Sequence, residues 1–386
     1  MPKLLVIIPD RLSAIVKKGE FSARYYNPGN LFDEVHILMT NDDQPDPAGL
    51  QETVGDGRLV LHNLPEPVFL PFPGHRFWYL NWWARDAVKL ARKINPAMVR
   101  CHGNWLNGYL AHRIKYTLGI PYLVSMHTNP DEEVRKRISD KRAVAYWNGL
   151  RNVEEIVLRN ANMVLPVYRP IIPYLESMGL NNYEVAYNVL NPNHLRRKTD
   201  YGLHSPVRLI SVGRHFREKN PDNIIRALVK LPHAHLTLVG DGPYQERLEK
   251  LTRERGVAGR TSFLRAIPND QLCAMLPEFD IFVVHTDYWE IGKAVLESLL
   301  TGLPVVINRR RGEPVPELQG DHVILVDNTP DGYSSALERL INDGVMRETL
   351  GRKAYAHARS HWAPSITEAK YVEIYKKILR ENATDG

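Results

Sequence analysis

Two carboxylates and a glycine frame a loop in the second half of the chain. Glu290 and Gly292 precede a helical pattern that contains Glu297. A helix N-terminus carries unpaired N–H groups and a partial positive charge, so it binds phosphate without a basic side chain. Carboxylates only accept hydrogen bonds, so they suit sugar hydroxyls rather than phosphate. The loop therefore predicts a ligand that contains both a sugar and a phosphate.

A second loop, earlier in the chain, adds two cations. The apolar run 209–212 opens into Gly213 and Arg214, and Lys219 follows at the far side of the turn. Arginine offers a planar fork and lysine a compact charge, a combination that suits a diphosphate. The alternative, from this loop alone, is a surface ion pair with Glu218. The carboxylate loop downstream makes the diphosphate interpretation the stronger one.

Both loops require strands whose carboxyl ends lie together. Short apolar runs alternate with amphipathic stretches, which predicts βαβ units and mainly parallel sheets covered on both faces. The pattern restarts after a stretch rich in Pro and Asn at 188–206. Predicted strands are 3–8, 34–39, 59–62, 98–101, 122–125 and 163–166, then 207–212, 235–239, 261–264, 281–284, 304–307 and 322–326, with 9–20 read as a loop. Predicted helices include 78–94, 106–118, 143–159, 172–178 and 364–380.

The segment 281–307 resembles the donor-binding signature of retaining glycosyltransferases of the GT-B type, group 4 family. In that family seven residues separate two glutamates, and a Gly-Leu-Pro-Val-Val strand follows. Glu297 and the run 302–306 match this pattern. The position of the first glutamate holds Trp289, and Glu290 lies one residue later, so only six residues separate it from Glu297. Either Glu290 contacts the transferred sugar or Trp289 lines the pocket, and we favour Glu290, paired across the cleft with His127.

The resemblance also implies the other site residues. His127 follows Gly-Ile-Pro and a strand and matches the family histidine near the transferred sugar, although packing under a strand end is an equally good interpretation from sequence alone. Gly242 lies in a Gly-Asp-Gly turn for which a structural role is the stronger interpretation. Of a glycine-rich loop after the first strand, only Gly19 is present. The predicted catalytic residues are His127, Arg214, Lys219 and Glu290, and the predicted donor-binding residues are Gly19, Gly213, Arg214, Lys219, Gly242, Ile267, Glu290, Ile291, Gly292, Lys293, Ala294 and Glu297.

The fold that the resemblance implies is α/β GT-B, with two Rossmann-like, doubly wound domains facing a central cleft. Residues 1–190 form the predicted acceptor-binding domain and 206–364 the predicted nucleotide-sugar domain, joined by a linker at 191–205. A C-terminal helix at 365–386 is expected to cross back and complete the N-terminal domain.

Composition limits the class of protein. At 386 residues the chain suits two domains, and 44% hydrophobic with 24% charged residues is typical of a folded enzyme and excludes disorder. The two cysteines, Cys101 and Cys273, argue against a disulfide framework and favour a reducing compartment. No stretch reaches the ~20 apolar residues that span a bilayer, and the N-terminus lacks the long apolar region of a signal peptide. We therefore expect a cytoplasmic protein.

The net charge of +6 favours anionic partners. The basic clusters form neither a coherent face nor a recognisable module, so no nucleic acid partner is expected. The cluster at 196–198 is interpreted as solvated surface. An anionic membrane remains as a peripheral contact, supported by the aromatic residues crowded at 77–83, although at helical spacing such residues are more typical of a core. The clusters lie at 17–18, 135–137, 141–142, 196–198 and 309–311.

These patterns and the resemblance predict a retaining glycosyltransferase of the hexosyltransferase type, acting in cell-surface polysaccharide or glycolipid biosynthesis. It would move a sugar from a nucleoside-diphosphate sugar to a saccharide or lipid-linked saccharide acceptor. The chain has no Asp-x-Asp sequence of the kind that holds a metal-bound sugar nucleotide, so neither a metal nor a cofactor is expected. Two alternatives stay open: a sugar-nucleotide epimerase or phosphorylase on the same fold, and a non-catalytic nucleotide-sugar binder.

Overall fold

The computed structural model describes residues 2–66, 76–135, 148–310 and 315–384. It divides into two compact units. The first contains Met1–Lys17, Phe21–Val189 and Ser365–Gly386, and the second contains Lys18–Glu20 and Leu190–Pro364.

Among its described residues, the first unit is built on a parallel sheet of six strands. The order across the sheet is β3-β2-β1-β4-β5-β6. The chain adds β2 and β3 on one side of β1 and then β4 to β6 on its other side, so the strand order reverses between β1 and β4. The strands are β1 (Lys3–Ile8), β2 (Glu34–Met39), β3 (Arg58–Asn63), β4 (Met98–His102), β5 (Tyr122–Met126) and β6 (Met163–Pro166). The α-helices before the linker are α1 (Leu12–Lys17), α2 (Arg76–Ile94), α3 (Leu106–Leu118), α4 (Arg151–Asn160) and α5 (Ile172–Ser177).

The second unit repeats this plan, again with six parallel strands among the residues described. Its order is β12-β11-β10-β7-β8-β9, with the reversal between β7 and β10. The strands are β7 (Val207–Val212), β8 (Ala234–Val239), β9 (Thr261–Leu264), β10 (Ile281–Val284), β11 (Val305–Asn308) and β12 (Ile324–Val326). The α-helices are α6 (Asp222–Ala227), α7 (Gln245–Glu254), α8 (Asn269–Met275), α9 (Lys293–Thr301), α10 (Pro330–Asn342) and α11 (Gly344–Trp362).

Most residues of the central strands are apolar because helices cover both faces of each sheet. In β1 every residue from Leu4 to Ile8 is buried, and β10 is buried throughout. The loops that follow these strands lie at the carboxyl edge of the sheet. They carry the charged and polar side chains that could bind a ligand or take part in a reaction.

The last helix, α12 (Pro364–Thr384), belongs to the first unit, as predicted. Tyr371, Ile374 and Tyr375 pack in the core of that unit. The Glu368 carboxylate accepts a hydrogen bond from Arg24 Nε at 2.6 Å. The apolar stripe of this helix therefore serves packing.

The predicted fold class is confirmed, since each predicted strand is present with ends that differ by no more than two residues. One local interpretation was wrong: the loop at 9–20 contains α1, held by the buried Leu12 and by Ser13, whose Oγ donates to Asp43 at 2.6 Å. The predicted helix at 143–159 is observed as α4, and its first residues lie outside the described part of the chain. Among the described residues, no helix is long and apolar enough to cross a membrane.

The prediction that the basic cluster at 196–198 is solvated surface holds for Arg196 and Arg197, which are exposed, and is wrong for Lys198. Lys198 is buried in the second unit. Its ammonium donates to the Pro277 carbonyl at 3.0 Å, and its backbone N–H donates to the Thr301 carbonyl at 2.8 Å. A long aliphatic stem with a satisfied head group can be buried, which charge counting alone does not reveal.

Candidate functional site

The two motif loops meet where the strand order reverses in the second unit. β7 and β10 are hydrogen-bonded neighbours, and the segments that follow them carry Lys219 and Glu290. Lys219 Nζ lies 2.5 Å from Glu290 Oε1, with 27% and 14% of the two side chains exposed. The backbone N–H of Asp287 donates to the Glu218 carbonyl at 2.7 Å and ties the same two segments together. Open parallel sheets bind ligands at such a reversal.

Arg214, the other predicted cation, follows β7 and is exposed. Its guanidinium carbon lies 5.6 Å from the centroid of the Phe216 ring. Lys219 Nζ lies 4.8 Å from the centroid of the Tyr288 ring. The structure thus pairs Lys219 with Glu290, and the alternative ion pair with Glu218 is not observed among the described residues. Arg214 stays accessible to an anion.

Asn308 fixes the start of the loop that carries Glu290. Its Oδ1 accepts from the Thr286 N–H and its Nδ2 donates to the Thr286 carbonyl, both at 2.9 Å. Thr286 Oγ1 accepts from the Tyr288 N–H at 3.0 Å. The sequence analysis missed Asn308, although a polar residue at the end of the apolar strand β11 was the available signal.

Trp289 and Glu290 have different partners. The Arg310 guanidinium carbon lies 5.5 Å from the centroid of the Trp289 ring. The Trp289 Nε1–H is buried and has no hydrogen-bond partner among the residues described. Of the two side chains, Glu290 is the one in contact with a cation of the predicted diphosphate loop.

The helix α9 begins directly after Gly292, and no side chain caps it. A Cβ added at Gly292 would meet nothing within 4 Å, so the space in front of the helix is open. Ile291 is buried, which leaves only its backbone for a ligand, while Lys293 and Ala294 form the first turn. First-turn N–H groups without a cap are an anion-binding arrangement.

Glu297 is buried, with 2% of its surface exposed. Burial raises the pKa of its carboxyl, and Lys293, whose Nζ lies 3.8 Å from Oε1, opposes that shift. Asn269 Nδ2 donates to Oε1 at 2.8 Å, and Asn269 Oδ1 lies 3.0 Å from His194 Nδ1. The hydrogen bonds that link His194 to Asn269 and Asn269 to Glu297 therefore orient the carboxylate. Sequence reasoning missed Asn269 and His194, which carry no motif of their own.

The Gly-Asp-Gly turn is explained by packing. Gly240 has φ 142° and an added Cβ would lie 2.0 Å from the Gly213 carbonyl oxygen; Gly242 has φ 151° and a Cβ there would lie 2.5 Å from the His215 oxygen. His215 N–H also donates to the Asp241 carbonyl at 2.8 Å. Glycine is required so that this turn can lie against the loop after β7, which positions Arg214 indirectly.

Two further predicted residues lie near Asn269: Gly19 in space and Ile267 in the sequence. Gly19 has φ 62°, and the carbonyl of its neighbour Lys18 accepts from the Asn269 N–H at 2.8 Å. Ile267 is half-buried in the loop between β9 and α8. Gly19 lies against Asn269, since an added Cβ would lie 3.3 Å from the Asn269 backbone nitrogen.

His127 belongs to the first unit, just beyond β5. It is half-buried, and its carbonyl accepts from the Tyr168 hydroxyl at 2.9 Å. Burial, with a smaller contribution from the Arg100 charge, lowers the pKa of His127 to about 4. Its Nε2 is buried without a hydrogen-bond partner among the described residues. The imidazole is neutral at physiological pH.

Three histidines form a stack elsewhere in the second unit. The ring centroids of His322 and His357 are 3.8 Å apart, and those of His357 and His361 are 4.3 Å apart. Burial and the two neighbouring histidines lower the pKa of His357 to about 4. In the part of the chain that the structure describes, no group of three or more His, Cys, Asp or Glu side chains is arranged to hold a metal ion.

Comparison with protein-family models identifies the family to which this chain belongs. The model for Glycosyltransferase Family 4 matches residues 31–194, and the model for Glycosyl transferases group 1 matches residues 199–357. Together the matches cover most of the chain, and the second contains both motif loops. The chain belongs to the family 4 glycosyltransferases. The family suggested by Glu297 and the run 302–306 is confirmed.

Among curated relatives of this family 4 member is the lipopolysaccharide core biosynthesis glycosyltransferase LpsE of Rhizobium meliloti. It is 32% identical over 161 residues, 42% of this chain and 46% of LpsE. The sulfoquinovosyl transferase SQD2 of Arabidopsis thaliana is 25% identical over 355 residues, 88% of this chain and 66% of SQD2. The chain thus spans about half to two thirds of the length of these two relatives.

Among solved structures, Alr3699/HepE of Anabaena in complex with UDP resembles this family 4 member over almost its full length. The match covers 98% of this chain and 100% of HepE, with a TM-score of 0.75 and 15% sequence identity. At that identity the likeness shows the fold, which is the GT-B class of two Rossmann-like domains.

Proposed function

We propose that this chain is a retaining, metal-independent glycosyltransferase that moves a sugar from a nucleoside-diphosphate sugar to a saccharide or lipid-linked saccharide acceptor. The observation that carries the proposal is the contact between Lys219 and Glu290 at the strand-order reversal of the second unit. It unites a cation for phosphate with a carboxylate for a sugar hydroxyl, in the same loop as the uncapped start of α9. The UDP named for the HepE structure and the lipopolysaccharide role in the name of LpsE support the substrate classes.

In the proposed reaction the acceptor hydroxyl oxygen bonds to the anomeric carbon as the bond from that carbon to the β-phosphate oxygen breaks. Negative charge grows on the leaving diphosphate and is stabilised by Lys219, Arg214 and the first-turn N–H groups of α9. The leaving phosphate takes the proton of the acceptor hydroxyl. Glu290 accepts a hydrogen bond from the transferred sugar, and Glu297, oriented by Asn269, accepts from the ribose hydroxyls. No covalent nucleophile of the protein takes part.

The test is a donor screen in chelator-treated buffer with product analysis by NMR. Uridine, guanosine and adenosine diphosphate sugars are incubated with and without saccharide acceptors. The proposal predicts acceptor-dependent release of the nucleoside diphosphate and a product with the anomeric configuration of the donor. Epimerised donor without acceptor, or sugar phosphate formed with inorganic phosphate, would assign one of the rival activities, and an inverted anomer would refute retention. Binding without turnover would leave the chain a nucleotide-sugar binder.

We also propose that the enzyme is cytoplasmic and makes a peripheral contact with an anionic membrane surface. Residues Trp78 and Trp82 on α2 are 72% and 51% exposed, although Leu80 and Trp83 of the same helix are buried. Exposed tryptophans suit the interface between lipid and water. The basic clusters at 135–137 and 141–142 lie largely outside the described residues. Sedimentation with phosphatidylglycerol vesicles should show binding at low salt that W78S/W82S weakens, and no binding of the wild type at low salt would refute the contact.

A further inference from the structure

The buried carboxylate of Glu297 ends a chain of hydrogen bonds that begins in the linker. Asn269 Nδ2 donates to Glu297 Oε1 at 2.8 Å, and Asn269 Oδ1 lies 3.0 Å from His194 Nδ1. His194 Nε2 lies 3.1 Å from Asn191 Nδ2. All four residues belong to the second unit. The chain thus connects two linker residues with the carboxylate that is proposed to bind ribose.

The amide groups of this chain have fixed orientations. The backbone N–H of Asn193 donates to Asn191 Oδ1 at 3.0 Å, so Asn191 turns its NH2 group toward His194. Asn269 donates through its NH2 group to Glu297, which only accepts, so its Oδ1 faces His194. The imidazole therefore has to accept at Nε2 and donate at Nδ1. The neutral imidazole with its hydrogen on Nδ1 meets both demands.

The sequence of residues 191–194, Asn-Pro-Asn-His, explains why His194 has a fixed position. Asparagine before proline favours the start of a turn, and its side chain can accept from the N–H two residues later. Both features are observed, since Asn191 Oδ1 accepts from the Asn193 N–H at 3.0 Å and the Asn191 carbonyl accepts from the His194 N–H at 3.2 Å. We call residues 191–194 the linker turn. Its two internal hydrogen bonds hold the backbone that carries the imidazole.

Asn269 is directed away from its own helix. It is the first residue of α8, and asparagine at a helix start commonly hydrogen-bonds to the backbone of that helix. Here no side chain caps α8, and both polar atoms of the Asn269 amide contact other segments. Its backbone N–H donates to the Lys18 carbonyl at 2.8 Å. The amide therefore serves Glu297 and not the helix.

The two carboxylate oxygens of Glu297 have different surroundings. Oε1 accepts from Asn269 and lies 3.8 Å from Lys293 Nζ, whereas Oε2 has no hydrogen-bond or ion-pair partner among the described residues. Burial raises the pKa of this carboxyl, and the Lys293 charge and then the Asn269 hydrogen bond oppose that rise. A buried carboxylate oxygen without a donor is costly unless a ligand supplies one. Oε2 is thus the atom that is left for a ligand.

We propose that Asn269 and His194 are positioning residues for nucleoside selection. They hold Oε1 of Glu297, so that Oε2 accepts from the ribose hydroxyls and the site selects a ribonucleoside diphosphate over a deoxyribonucleoside diphosphate. A buried acceptor rejects an analogue without the hydroxyls, because it is then left without a donor. The inference rests on the proposed function, which assigns Glu297 to the ribose. It adds that the selection begins at the linker turn and requires one tautomer of His194.

The first test needs no ligand. Nitrogen-15 NMR of the full chain at pH 8, above the range in which histidines ordinarily titrate, shows which ring nitrogen carries the hydrogen. The signals of His194 are assigned by their loss in His194→Ala. We expect a hydrogen on Nδ1 and none on Nε2 in the wild type. A hydrogen on Nε2 would overturn the proposal.

The second test compares a ribonucleoside diphosphate with its 2′,3′-dideoxy analogue by calorimetric titration, using uridine, guanosine and adenosine diphosphates. In the wild type the ribonucleotide should bind about tenfold or more tightly than the analogue. Asn269→Ala should lower the affinity for the ribonucleotide by about tenfold, and His194→Ala by less, while the affinity for the analogue stays as in the wild type. Retained binding of the analogue also shows that each variant is folded. An equal loss for both nucleotides would show a purely structural role.

Two further variants of histidines sharpen this comparison. His194→Asn places an amide NH2 group where Nδ1 stands, so it should restore most of the selection that His194→Ala loses. His233→Ala is the control, because His233 is exposed in the turn before β8. It should leave both affinities unchanged. Selection that His194→Asn does not restore would refute the role of the Nδ1 hydrogen.

A double-mutant cycle tests whether Asn269 acts through Glu297. In a Glu297→Ala background the carboxylate is absent, so Asn269→Ala should cause no further loss of ribonucleotide affinity. A further loss as large as in the wild-type background would overturn the proposal.

The outcomes separate this inference from the proposed function. If a nucleoside diphosphate binds but no sugar is transferred, the proposed transfer fails, while the ratio of the two affinities still reports on Asn269 and His194. If transfer is found but the ratio in Asn269→Ala equals that of the wild type, the function stands and the positioning role is refuted. Absence of binding by all three ribonucleotides would refute both.

Discussion

Lys219 and Glu290 are 71 residues apart in the sequence and form a direct ion pair. Neither side chain is fully exposed, and the loops that carry them are held by backbone and Asn308 hydrogen bonds. In the proposed reaction the phosphate of the nucleotide sugar binds Lys219 and a sugar hydroxyl binds Glu290, and both side chains are already held in position. Such preorganisation is what a binding site at a sheet edge requires.

The cations of the loop after β7 should be needed for turnover. We expect Arg214→Ala and Lys219→Ala to lower kcat by about 10² or more, by analogy with loss of a group that stabilises a developing anion. Lys230→Ala is a matched control, because that lysine pairs with Asp331 at an exposed site. Steady-state kinetics decide the matter, and rates within a few-fold of the wild type for both loop variants would remove the diphosphate assignment.

Glu290 and Trp289 should differ in their effect on transfer. Glu290→Gln removes a charge-assisted contact that strengthens in the transition state and should reduce kcat by ~10² or more. Trp289→Phe keeps an aromatic ring in the position next to Arg310 and should cost much less. The reverse order of damage would mean that Trp289 occupies the working position.

Glu297 should act on donor binding. Glu297→Gln keeps the shape but replaces an acceptor pair with a mixed donor and acceptor, so it disturbs both the ribose contact and the bond from Asn269. We expect a weaker donor affinity with the fold preserved, measured by calorimetry and circular dichroism. An unchanged donor dissociation constant would show that Glu297 does not contact the ligand.

The Gly-Asp-Gly turn should matter for stability. Gly240→Ala places a Cβ 2.0 Å from the Gly213 oxygen at a positive φ, so the loop after β7 must move. A cost of about 2 kcal/mol or more in the free energy of unfolding follows. Gly259→Ala, where an added Cβ meets nothing within 4 Å, is the control. Equal unfolding midpoints for the two variants would contradict the packing explanation.

The stacked histidines should make the second unit sensitive to acid. The pKa of His357 is lowered to about 4 in the folded chain, whereas an unfolded histidine titrates near 6.5. The unfolded state therefore binds more protons in this range, so stability present above about pH 6.5 is lost as the pH falls toward 4. His357→Gln should weaken that dependence in thermal unfolding scans at several pH values. A variant with the same dependence as the wild type would exclude the stack as its cause.

The strands were predictable because short runs rich in apolar residues mark them, and both sheets follow from that pattern. The short helix α1 was missed because six residues with a single buried side chain carry little periodicity. Lys198 was misjudged because its satisfied burial depends on the Pro277 carbonyl, 79 residues away in the sequence.

The loops of the candidate site were predictable only where sequence motifs mark them. Gly213, Lys219, Glu290 and Gly292 were named from local patterns, and the structure brings the lysine and the glutamate together. Asn269 and Asn308 were not found, since each acts through a hydrogen bond to a residue distant in sequence. The contacts of the buried Arg100 were not found for the same reason, because its partners come from three segments distant in the sequence.

The central claim is that the loops around Lys219 and Glu290 bind the diphosphate of a nucleotide sugar. Calorimetric titration of uridine, guanosine and adenosine diphosphates into the wild type and into Lys219→Ala tests it most directly. The account predicts one-to-one binding of at least one of these nucleotides and a loss of affinity of about tenfold or more in the variant, as for a charge-assisted phosphate contact. Absence of binding by all three, or equal affinity in the variant, would contradict it.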